Sequence, residues 1–381
     1  MNTVYNHSMS KAPQTNIRVL RERVKDKHGA FLNSLAKEVN FVWNYCNELS
    51  AKHTERTGQF MSSYTMDKYT AGSTKEGLSI PASTVQAISS EYCTRRKQFK
   101  KRRLAWRKSG GSKRSLGWIP FKKDAIRYQH GQIFFQKKPI GIFKSYDLQD
   151  KAIKCGSFSQ DARGRWYVNL TVEVQIATVN TSTKVVGIDL GLKTTAVTSD
   201  GDQMVSRRYR ELEGKLAMSQ RANKAKLSKA ISAKIRNRRN NDQHQFSRLL
   251  ANEYGAIFVG NISSSKLIKT KMAKSVHDAG WSQFKTMLEY KCHEAGVVFL
   301  EVNESNTTQT CSSCAEKPPS RPKGIAGLGI REWTCDCCGV IHDRDINASK
   351  NILRIGLDTL AVGASQLNQG RFEPPCFSYG E

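Results

Sequence analysis

The segment KVVGIDLGLKTTAVTSDG, residues 184–201, decides the fold of the second half of the chain. Its first part, VVGID, reads as a continuous apolar strand that ends on an acidic residue, Asp189. A glycine-containing turn leads into a second strand, TTAVTS, which we expect to pair antiparallel with the first. This order predicts that Asp189 lies in the middle of a sheet, on the side that bears ligands. The alternative is that Asp189 is a turn residue that caps loop amides.

A strand that ends on a carboxylate and a glycine turn is found where a sheet presents that carboxylate to a divalent metal, as in RNase-H-like nucleases. Sugar kinases and chaperone ATPases open in a similar way, so this segment alone does not separate the classes. Phosphodiester cleavage by two metal ions requires further carboxylates close by. HDRDINASKNIL, residues 342–353, supplies Asp343 and Asp345 at the start of a predicted helix. Either acid could instead be an ordinary N-cap.

A third acid is expected after the strand AIFVG, residues 256–260, but the next residue is Asn261. An asparagine is a neutral ligand and does not supply the charge of a carboxylate. The following strand lies in GVVFLEVNESNTTQ, residues 296–309, and Glu304 comes just past its end. Because the functional ends of parallel strands lie together at one edge of a sheet, we predict that Glu304 reaches the same ions. The alternative is an ordinary solvated acid at a strand end.

The chain has ten cysteines, and four of them form two CxxC pairs with twenty residues between the pairs. Each pair places two thiolates on one knuckle turn, and two knuckles complete the tetrahedral shell that suits zinc. Such a closed shell leaves no position open for a substrate, so we expect the zinc to be structural. Cys337 lies inside the second knuckle and could compete as a ligand. The predicted zinc ligands are Cys311, Cys314, Cys335 and Cys338.

The composition indicates a polyanionic partner. Lysines and arginines number 61 and acidic residues 33, which gives a formal net charge of +28. This charge is spread along the chain without a lipid-anchor motif, which favours nucleic acid over a membrane surface. No apolar run approaches the ~18 residues of a transmembrane helix, and the first thirty residues lack the apolar core of a secretory signal. We therefore expect a cytoplasmic protein that does not bind membranes and keeps its cysteines reduced.

Two stretches of the chain concentrate the positive charge. Residues 94–123 hold 13 Lys or Arg and no acid, and residues 206–240 hold 12 against two glutamates. Four aromatic residues interleave with the first block: Phe99, Trp106, Trp118 and Phe121. Cations neutralise phosphates and aromatic rings stack on exposed bases, whereas the alternative is a solvated helix face with core aromatics. The predicted nucleic-acid contacts are Arg95, Arg96, Lys97, Lys100, Lys101, Arg102, Arg103, Arg107, Lys122 and Lys123.

The first half of the chain changes its periodicity near residue 126. An apolar stripe at spacings of three and four predicts a helix or helix pair over 17–50, and a second helical region is expected over about 81–107. From about 126 to 176, short apolar runs separated by turns predict a small β-barrel or an open sheet. Residues 177–184 read as a linker, and those from about 362 onward as a mobile tail.

Four segments carry a resemblance to a known family. GIDLGLKTTAV, DAGWSQFKTMLEYKC, EVNESNTTQTCSSC and WTCDCCGVIHDRDINASKNIL, in this order, resemble TnpB, the transposon-encoded RNA-guided nuclease related to type V CRISPR effectors. The match is close over about 184–355 and holds only in outline before that. The resemblance implies a multidomain α+β protein, with an RNase-H-like (RuvC) α/β nuclease domain interrupted by the four-cysteine zinc ribbon. It also implies a wedge-like β-barrel that is split by a helical recognition domain.

The resemblance and the periodicity together give expected domain boundaries. The wedge barrel takes 1–16 and 126–180, and the helical recognition domain takes 17–125 between them. The RuvC-like domain takes 181–304, with a basic helical insertion over about 206–250, and resumes at 343–361. The zinc ribbon occupies 305–342, and a flexible tail 362–381.

The function follows from the resemblance as an expectation. It implies a guide RNA transcribed from the transposon end, and Mg²⁺-dependent cleavage of double-stranded target DNA next to a short target-adjacent motif. By motif, the first acid is Asp189 and the last is Asp345. The usual second acid falls at Asn261, but some branches carry a glutamate in the EVNE segment, which points to Glu304.

We therefore expect an RNA-guided DNA endonuclease in which three acids hold two Mg²⁺ ions. It is expected to act as a monomer in its ribonucleoprotein, in the bacterial cytoplasm at the nucleoid. The alternatives are an RNA-guided DNA-binding repressor without nuclease activity and a guide-free DNA-binding accessory protein of transposition.

Overall fold

The computed structural model describes residues 15–144, 146–149, 151–175, 180–204, 211–262, 279–324 and 326–368. The chain divides into two compact units: Thr15–Gln175 forms one, and the remaining described residues form the other. Both units combine strands with helices, which confirms a mixed α/β architecture. Among the described helices, none has the length and apolar character needed to cross a membrane.

The first unit contains a seven-stranded sheet in the order β2-β6-β7-β1-β5-β4-β3, with antiparallel pairing throughout. The rings of Phe121, Phe135 and Phe158 pack together in its core, with centroids 5.2–6.0 Å apart. Phe121 is therefore a core residue and does not contact a base. The strands are β1 (Thr15–Val24), β2 (Trp118–Lys122), β3 (Ile126–Gln129), β4 (Gln132–Phe135), β5 (Lys138–Phe143), β6 (Ile153–Gln160) and β7 (Trp166–Gln175).

The prediction of a helix over 17–50 is wrong for its first part, because residues 17–24 belong to β1. Burial alternates along this strand, but the usual pattern is inverted at several positions. Glu22 is buried and accepts a hydrogen bond from the Tyr146 backbone N–H, whereas Ile17 and Val19 are exposed. Polar and apolar residue types therefore do not alternate along this segment of the sequence, although exposed and buried side chains do alternate along the strand.

Three helices complete the first unit: α1 (Gly29–Thr57), α2 (Ser63–Thr70) and α3 (Ala82–Phe99). The apolar stripe predicted for α1 is confirmed, since Leu35, Val39 and Cys46 are buried on one face. The helical region expected up to about 107 ends earlier. Lys100 adopts a left-handed conformation with φ of 50°, which terminates α3 directly after Phe99.

The second unit contains a five-stranded sheet in the order β10-β9-β8-β11-β12. β8, β11 and β12 run parallel, so their carboxyl ends meet at one edge of the sheet, and β9 and β10 are antiparallel additions. Its strands are β8 (Val185–Asp189), β9 (Ala196–Thr198), β10 (Gln203–Met204), β11 (Ala256–Gly260) and β12 (Val298–Val302). Its helices are α4 (Glu211–Arg221), α5 (Ala225–Glu253), α6 (Trp281–Ala295) and α7 (Arg344–Asn368).

Helix α7 crosses the sheet at a glycine. A Cβ on Gly187 of β8 would overlap the backbone of Ser349 and Leu353, so only glycine permits this close approach. Asp345 lies one turn before Ser349, and Asp189 lies two residues after Gly187. The crossing therefore brings the start of α7 toward the end of β8 that carries the first predicted acid.

The expectation of a mobile tail from residue 362 is corrected in part, because α7 continues to Asn368. The residues over 357–368 are mostly leucine, alanine, serine and glutamine, and proline first appears at Pro374. These residue types sustain a helix even where the apolar spacing fades. Residues 369–381 lie outside the described part of the chain, as do residues 1–14 of the predicted first wedge segment.

Between β12 and α7 the chain forms a small module with one antiparallel hairpin, β13 (Glu332–Thr334) and β14 (Ile341–Asp343). Trp333 of β13 and His342 of β14 are paired in register, and their rings lie 4.9 Å apart. A core of only a few side chains, among them Cys311 and Cys335, supports this module. So small a core indicates that a further cross-link stabilises it.

Candidate active site

Asp189 is the last residue of β8 and is half-buried at the edge where the parallel strands end. Burial, together with the negative charges of Asp345 and Glu304, raises the pKa of Asp189 to about 7. The Arg344 cation opposes this shift without cancelling it. The three acids predicted from the sequence therefore interact electrostatically, although they come from three separate elements of the chain.

Glu304 lies two residues beyond β12, and its side chain extends across the end of the neighbouring strand β11. A Cβ on Gly260 would collide with the Glu304 Oε2 atom, so the carboxylate occupies space that only a glycine leaves open. Burial raises the pKa of Glu304, and the positive charge of Lys285 partly offsets this. Asn261 stands beside it, with its Oδ1 3.5 Å from the Glu304 backbone nitrogen.

The two aspartates at the start of α7 have different roles. Asp343 Oδ1 accepts the backbone N–H groups of Asp345 and Ile346 at 3.0 and 2.9 Å, so Asp343 is the N-cap. Asp345 stands in the first helical turn, and its carboxylate receives the Arg331 guanidinium at 3.1 and 3.3 Å. The ion pair is partly exposed and partly neutralises the acid.

The acids are near one another but do not form a tight cluster in this structure. In the described part of the chain, the four cysteines of the ribbon are the one group of three or more potential ligands whose donor atoms all lie within 4.8 Å of one another. The carboxylate oxygens of Asp189, Glu304 and Asp345 are donors of the kind that Mg²⁺ prefers.

The cysteine cluster fits zinc in geometry and in chemistry. A tetrahedral site with Zn–S bonds of about 2.3 Å has sulfur atoms about 3.8 Å apart. The Cys311 and Cys338 sulfurs are 3.6 Å apart, and those of Cys314 and Cys335 are 3.8 Å apart. Cys337 is exposed and is not part of this cluster, so the predicted competition from the fifth thiol is not seen here.

Backbone groups around the cluster favour the thiolate form. Burial opposes the ionisation of Cys335, but hydrogen bonds from the backbone N–H groups of Cys338 and Cys337 outweigh it and lower the pKa of Cys335 to about 7. His342, which is buried, places its Nε2 3.0 Å from the Cys311 sulfur. A ring N–H at this position donates to the thiolate and fixes its orientation.

The cluster is connected to α7 by two asparagines. The side-chain amides of Asn347 and Asn351 both donate to the backbone carbonyls of Thr307 and Thr310, at 2.7–3.2 Å. Asn347 also accepts the Ser312 backbone N–H at 2.8 Å. Both asparagines are buried, so these hydrogen bonds lie in a low-dielectric environment and hold the first cysteine knuckle against the helix that carries Asp345.

Sequence reasoning missed Arg331, His342 and this pair of asparagines. Asn347 and Asn351 are four residues apart on a helix, a spacing that places both amides on one face and could have marked a polar contact. His342 could have been noticed as a potential zinc-associated residue four positions after Cys338. Arg331 carries no such signal, because its contact depends on how the hairpin folds back.

The predicted nucleic-acid contacts differ in their accessibility. Arg96 is only 1% exposed and contacts Thr54 and the Phe60 ring, so the structure contradicts it as a phosphate contact. Arg107 is half-buried and hydrogen-bonds to Asn40 and to a backbone carbonyl. The remaining predicted residues are exposed at the surface: Arg95, Lys97, Lys100, Lys101, Arg102, Arg103, Lys122 and Lys123.

Comparison with known proteins covers the site region. Residues 281–352 match the family model described as Cas12f1-like, TNB domain. This range begins at α6 and includes Glu304, the four cysteines and Asp345.

Similar curated proteins extend the match over a larger part of the chain. A putative RNA-guided DNA endonuclease of Streptomyces pristinaespiralis is 31% identical over 269 residues, which cover 66% of this chain and 65% of that protein. The putative RNA-guided DNA endonuclease InsQ of Escherichia coli K12 is 24% identical over 285 residues, which cover 64% of this chain and 69% of that protein. The chain thus matches about two thirds of the length of these relatives.

A third relative carries the family name that the sequence motifs suggest. TnpB-like protein L79 of Acanthamoeba polyphaga mimivirus is 27% identical over 145 residues, covering 35% of this chain and 26% of that protein. The matched domain model, the two endonuclease relatives and this TnpB-like protein agree with the resemblance found from the sequence motifs. Together these comparisons support a protein of the TnpB family.

Proposed function

We propose that this protein is an RNA-guided DNA endonuclease in which Asp189, Glu304 and Asp345 bind catalytic Mg²⁺. The names of its two endonuclease relatives support the general activity. The observation that carries the choice of residues is the raised pKa of Asp189, which the charges of the two other acids help to produce. Carboxylates that repel one another in a partly buried site are typical of groups that a cation brings together.

The chemistry assigns a role to each side chain. When bound, two Mg²⁺ ions would activate a water molecule and stabilise the leaving oxygen of the phosphodiester. Asp189 lies at the end of a sheet strand and is repelled by the charges of both other acids, so a bound cation would stabilise its ionised form the most. Glu304 supplies the charge that Asn261 lacks, and Asp345 contributes from the first turn of α7. The Arg331 cation balances the charge of Asp345.

Further parts of the proposal concern partners and architecture. We assign the second unit to a RuvC-like nuclease domain, with α4 and α5 as its basic helical insertion, and the first unit to a wedge barrel with its recognition helices. The exposed cations of residues 94–123 would contact the guide–target heteroduplex and the adjoining DNA, where a short target-adjacent motif is read. The guide RNA would come from the transposon end, and one copy of the chain would form the ribonucleoprotein in the bacterial cytoplasm. Zinc in the cysteine cluster would be structural.

The decisive experiment compares cleavage by matched variants. The full chain is purified with its co-expressed RNA and mixed with target DNA and Mg²⁺. Glu304→Gln and Asp189→Asn should abolish cleavage while leaving target binding intact. Glu301→Gln is the control, because Glu301 is an exposed acid of the same segment that pairs with Lys285. Cleavage by Glu304→Gln at the wild-type rate would remove Glu304 from the site.

A second candidate function is a guided DNA-binding protein without nuclease activity, and Asn261 favours it. The position expected to carry the second acid has none, and the three remaining acids are not tightly clustered. This candidate predicts that the wild-type complex binds its target and leaves the DNA intact at every Mg²⁺ concentration. A chain that binds DNA without co-purifying RNA of defined sequence would instead be a guide-free accessory protein.

A further inference from the structure

A pocket in the first unit is lined by aromatic rings. Trp43 of α1 and Trp118 of β2 line it, as do Phe99 and Trp106, which have 58% and 50% of their surface exposed. The cavity measures about 530 Å³. This volume falls within the roughly 300–1,000 Å³ of small-molecule sites. We refer to this cavity as the aromatic pocket.

The backbone that carries Trp106 is fixed by two asparagines of α1. The amide of Asn47 exchanges hydrogen bonds with the backbone N–H and C=O of Leu104, at 2.9 and 2.8 Å. Asn44 does the same with Arg107, at 2.9 Å in both directions. Each asparagine thereby replaces a missing backbone partner on either side of Trp106. An exposed indole on a backbone held this firmly is pre-organised to contact a ligand.

Positive charge predominates around the aromatic pocket, because three cations line it against one acid, Glu91. The Arg107 guanidinium lies 6.0 Å from the centre of the Trp43 ring and 5.7 Å from that of Trp118, so a cation is fixed in the wall. Arg95 and Lys101 also line the pocket. Arg95 pairs with Glu91, whereas in the described part of the chain no acidic partner is found for Lys101. Aromatic faces beside cations match a base attached to a phosphate.

We propose that the aromatic pocket binds an unpaired nucleobase, which stacks on Trp106 or Phe99 while Lys101 meets the adjoining phosphate. A base inside a duplex is covered on both faces by its neighbours and cannot stack on a side chain without leaving the helix. The site therefore selects single-stranded nucleic acid, in addition to the backbone contacts made by the surrounding cations. This inference rests on the proposed function, because a guided complex contains unpaired nucleotides in the guide RNA and in the displaced DNA strand.

Substitutions of the rings and of Lys101 should change different properties of nucleic-acid binding, the affinity in the first case and its salt dependence in the second. Stacking on an aromatic side chain contributes on the order of 5- to 150-fold in affinity per base. It releases no counterions, so Trp106→Ala should weaken binding of the guide RNA by such a factor and leave the salt dependence of the affinity unchanged. Lys101→Ala should instead reduce the slope of log K against log salt by about 0.7, the value for one phosphate of a single strand.

The test measures fluorescence anisotropy of labelled ligands with the full chain and without Mg²⁺, so cleavage plays no part. The ligands are the guide RNA, a single-stranded DNA with the displaced-strand sequence, and the duplex of that DNA. The ligand that Trp106→Ala binds more weakly than wild type identifies the strand from which the base comes. Trp106→Phe should retain most of the affinity, and Tyr64→Ala is the control because Tyr64 is 74% exposed and lies outside the pocket.

The possible outcomes separate the pocket from the function. If wild type binds the guide RNA and Trp106→Ala and Phe99→Ala bind all three ligands as tightly as wild type, the pocket inference is overturned and the guided function stands. Equal losses for the single strand and the duplex would also overturn it. If wild type itself shows no preference for its RNA, the proposed function fails. Should Trp106→Ala not fold, ultraviolet cross-linking of the wild-type complex decides, because a peptide containing Phe99 or Trp106 must carry a cross-linked nucleotide.

Discussion

Arg331 of the ribbon module pairs with Asp345 of α7, with 3.1 Å between Nη1 and Oδ2. The arginine precedes the β13–β14 hairpin, and the aspartate follows it, so the fold of the hairpin sets the distance between them. A backbone hydrogen bond of 2.7 Å from Arg344 to the Arg331 carbonyl closes the same loop. The candidate site therefore has an internal counter-charge for one of the three predicted acids, Asp345.

Removal of this counter-charge should strengthen cation binding. Arg331→Gln leaves Asp345 without its cation, and an uncompensated carboxylate attracts a divalent ion more strongly. We expect the Ca²⁺ or Mg²⁺ affinity, measured by calorimetry, to rise several-fold. Arg321→Gln is the control, because Arg321 donates to the backbone carbonyls of Lys317 and Pro318 in the ribbon. Equal affinity in wild type and Arg331→Gln would contradict the arrangement.

The raised pKa of Asp189 predicts how the stability of the protein without Mg²⁺ depends on pH. The folded state binds the Asp189 proton up to about pH 7, whereas the unfolded chain releases it near the ordinary value of 3.8. The contribution of this group to stability is therefore present in acid and is lost as the pH rises through about 4 to 7. Asp189→Asn should flatten the melting temperature over this range, with EDTA-free buffers used so that the cysteine cluster keeps its zinc. A wild-type profile that Asp189→Asn does not alter would show that the carboxylate is not perturbed.

Substitution of Gly260, which contacts the Glu304 side chain, should reduce DNA cleavage as substitution of Glu304 does. In Gly260→Ala the new methyl group occupies the place of the Glu304 carboxylate and displaces it from the two aspartates. We expect cleavage to fall by at least 10-fold while the chain stays folded. The comparison is Gly214→Ala in α4, where a Cβ meets nothing within 4 Å and should stabilise the helix by up to about 1 kcal/mol. Wild-type cleavage by Gly260→Ala would exclude the described position of Glu304.

An exchange of acid between neighbouring strand ends offers a test by rescue. Glu304→Gln should be inactive, and adding Asn261→Glu should restore part of the cleavage, because residue 261 follows β11 directly and lies beside the Glu304 backbone. The single variant Asn261→Glu, with both acids present, serves as the reference. If the double variant stays inactive while it binds target DNA, the two positions are not equivalent.

The cysteine cluster should discriminate between adjacent thiols. Cys338→Ser removes a ligand and should abolish stoichiometric zinc, whereas Cys337→Ser alters an exposed thiol outside the cluster and should leave the zinc content at one ion per chain. Elemental analysis of the purified chains gives the ratio. Because Asn347 and Asn351 bind the first knuckle to α7, loss of zinc should also lower the melting temperature of the second unit.

The structure could be predicted from the sequence where the spacing of apolar residues or cysteines determines which side chains are buried or lie together. The buried strand VVGID, the stripe of α1 and the four-cysteine cluster are all confirmed, because apolar spacing and CxxC spacing translate directly into burial and ligand geometry. The placement of Glu304 near Asp189 was predicted from one rule, that parallel strands end at a common edge. The structure adds the electrostatic coupling of Asp189 to the other two acids.

The parts that sequence reasoning missed depend on contacts between distant residues. Strand β1 buries Glu22 and exposes Val19, so its alternation is visible only once its neighbours are in place. Arg96 lies in a run of cations but is enclosed by aromatic and helical neighbours, and charge counting could not separate it from Arg95. The ion pair of Arg331 likewise requires the hairpin to form first.

The position of Glu304 above Gly260 bears on how relatives of this protein are sorted. A survey that judged nuclease activity only from the position occupied by Asn261 would class this chain as inactive. In the site proposed above, the carboxyl group comes instead from Glu304 beside the adjacent strand, and Gly260 leaves space for it. We therefore expect relatives that carry a glutamate at the position of Glu304 to keep a glycine at the position of Gly260, and a survey of genomes can check this pairing.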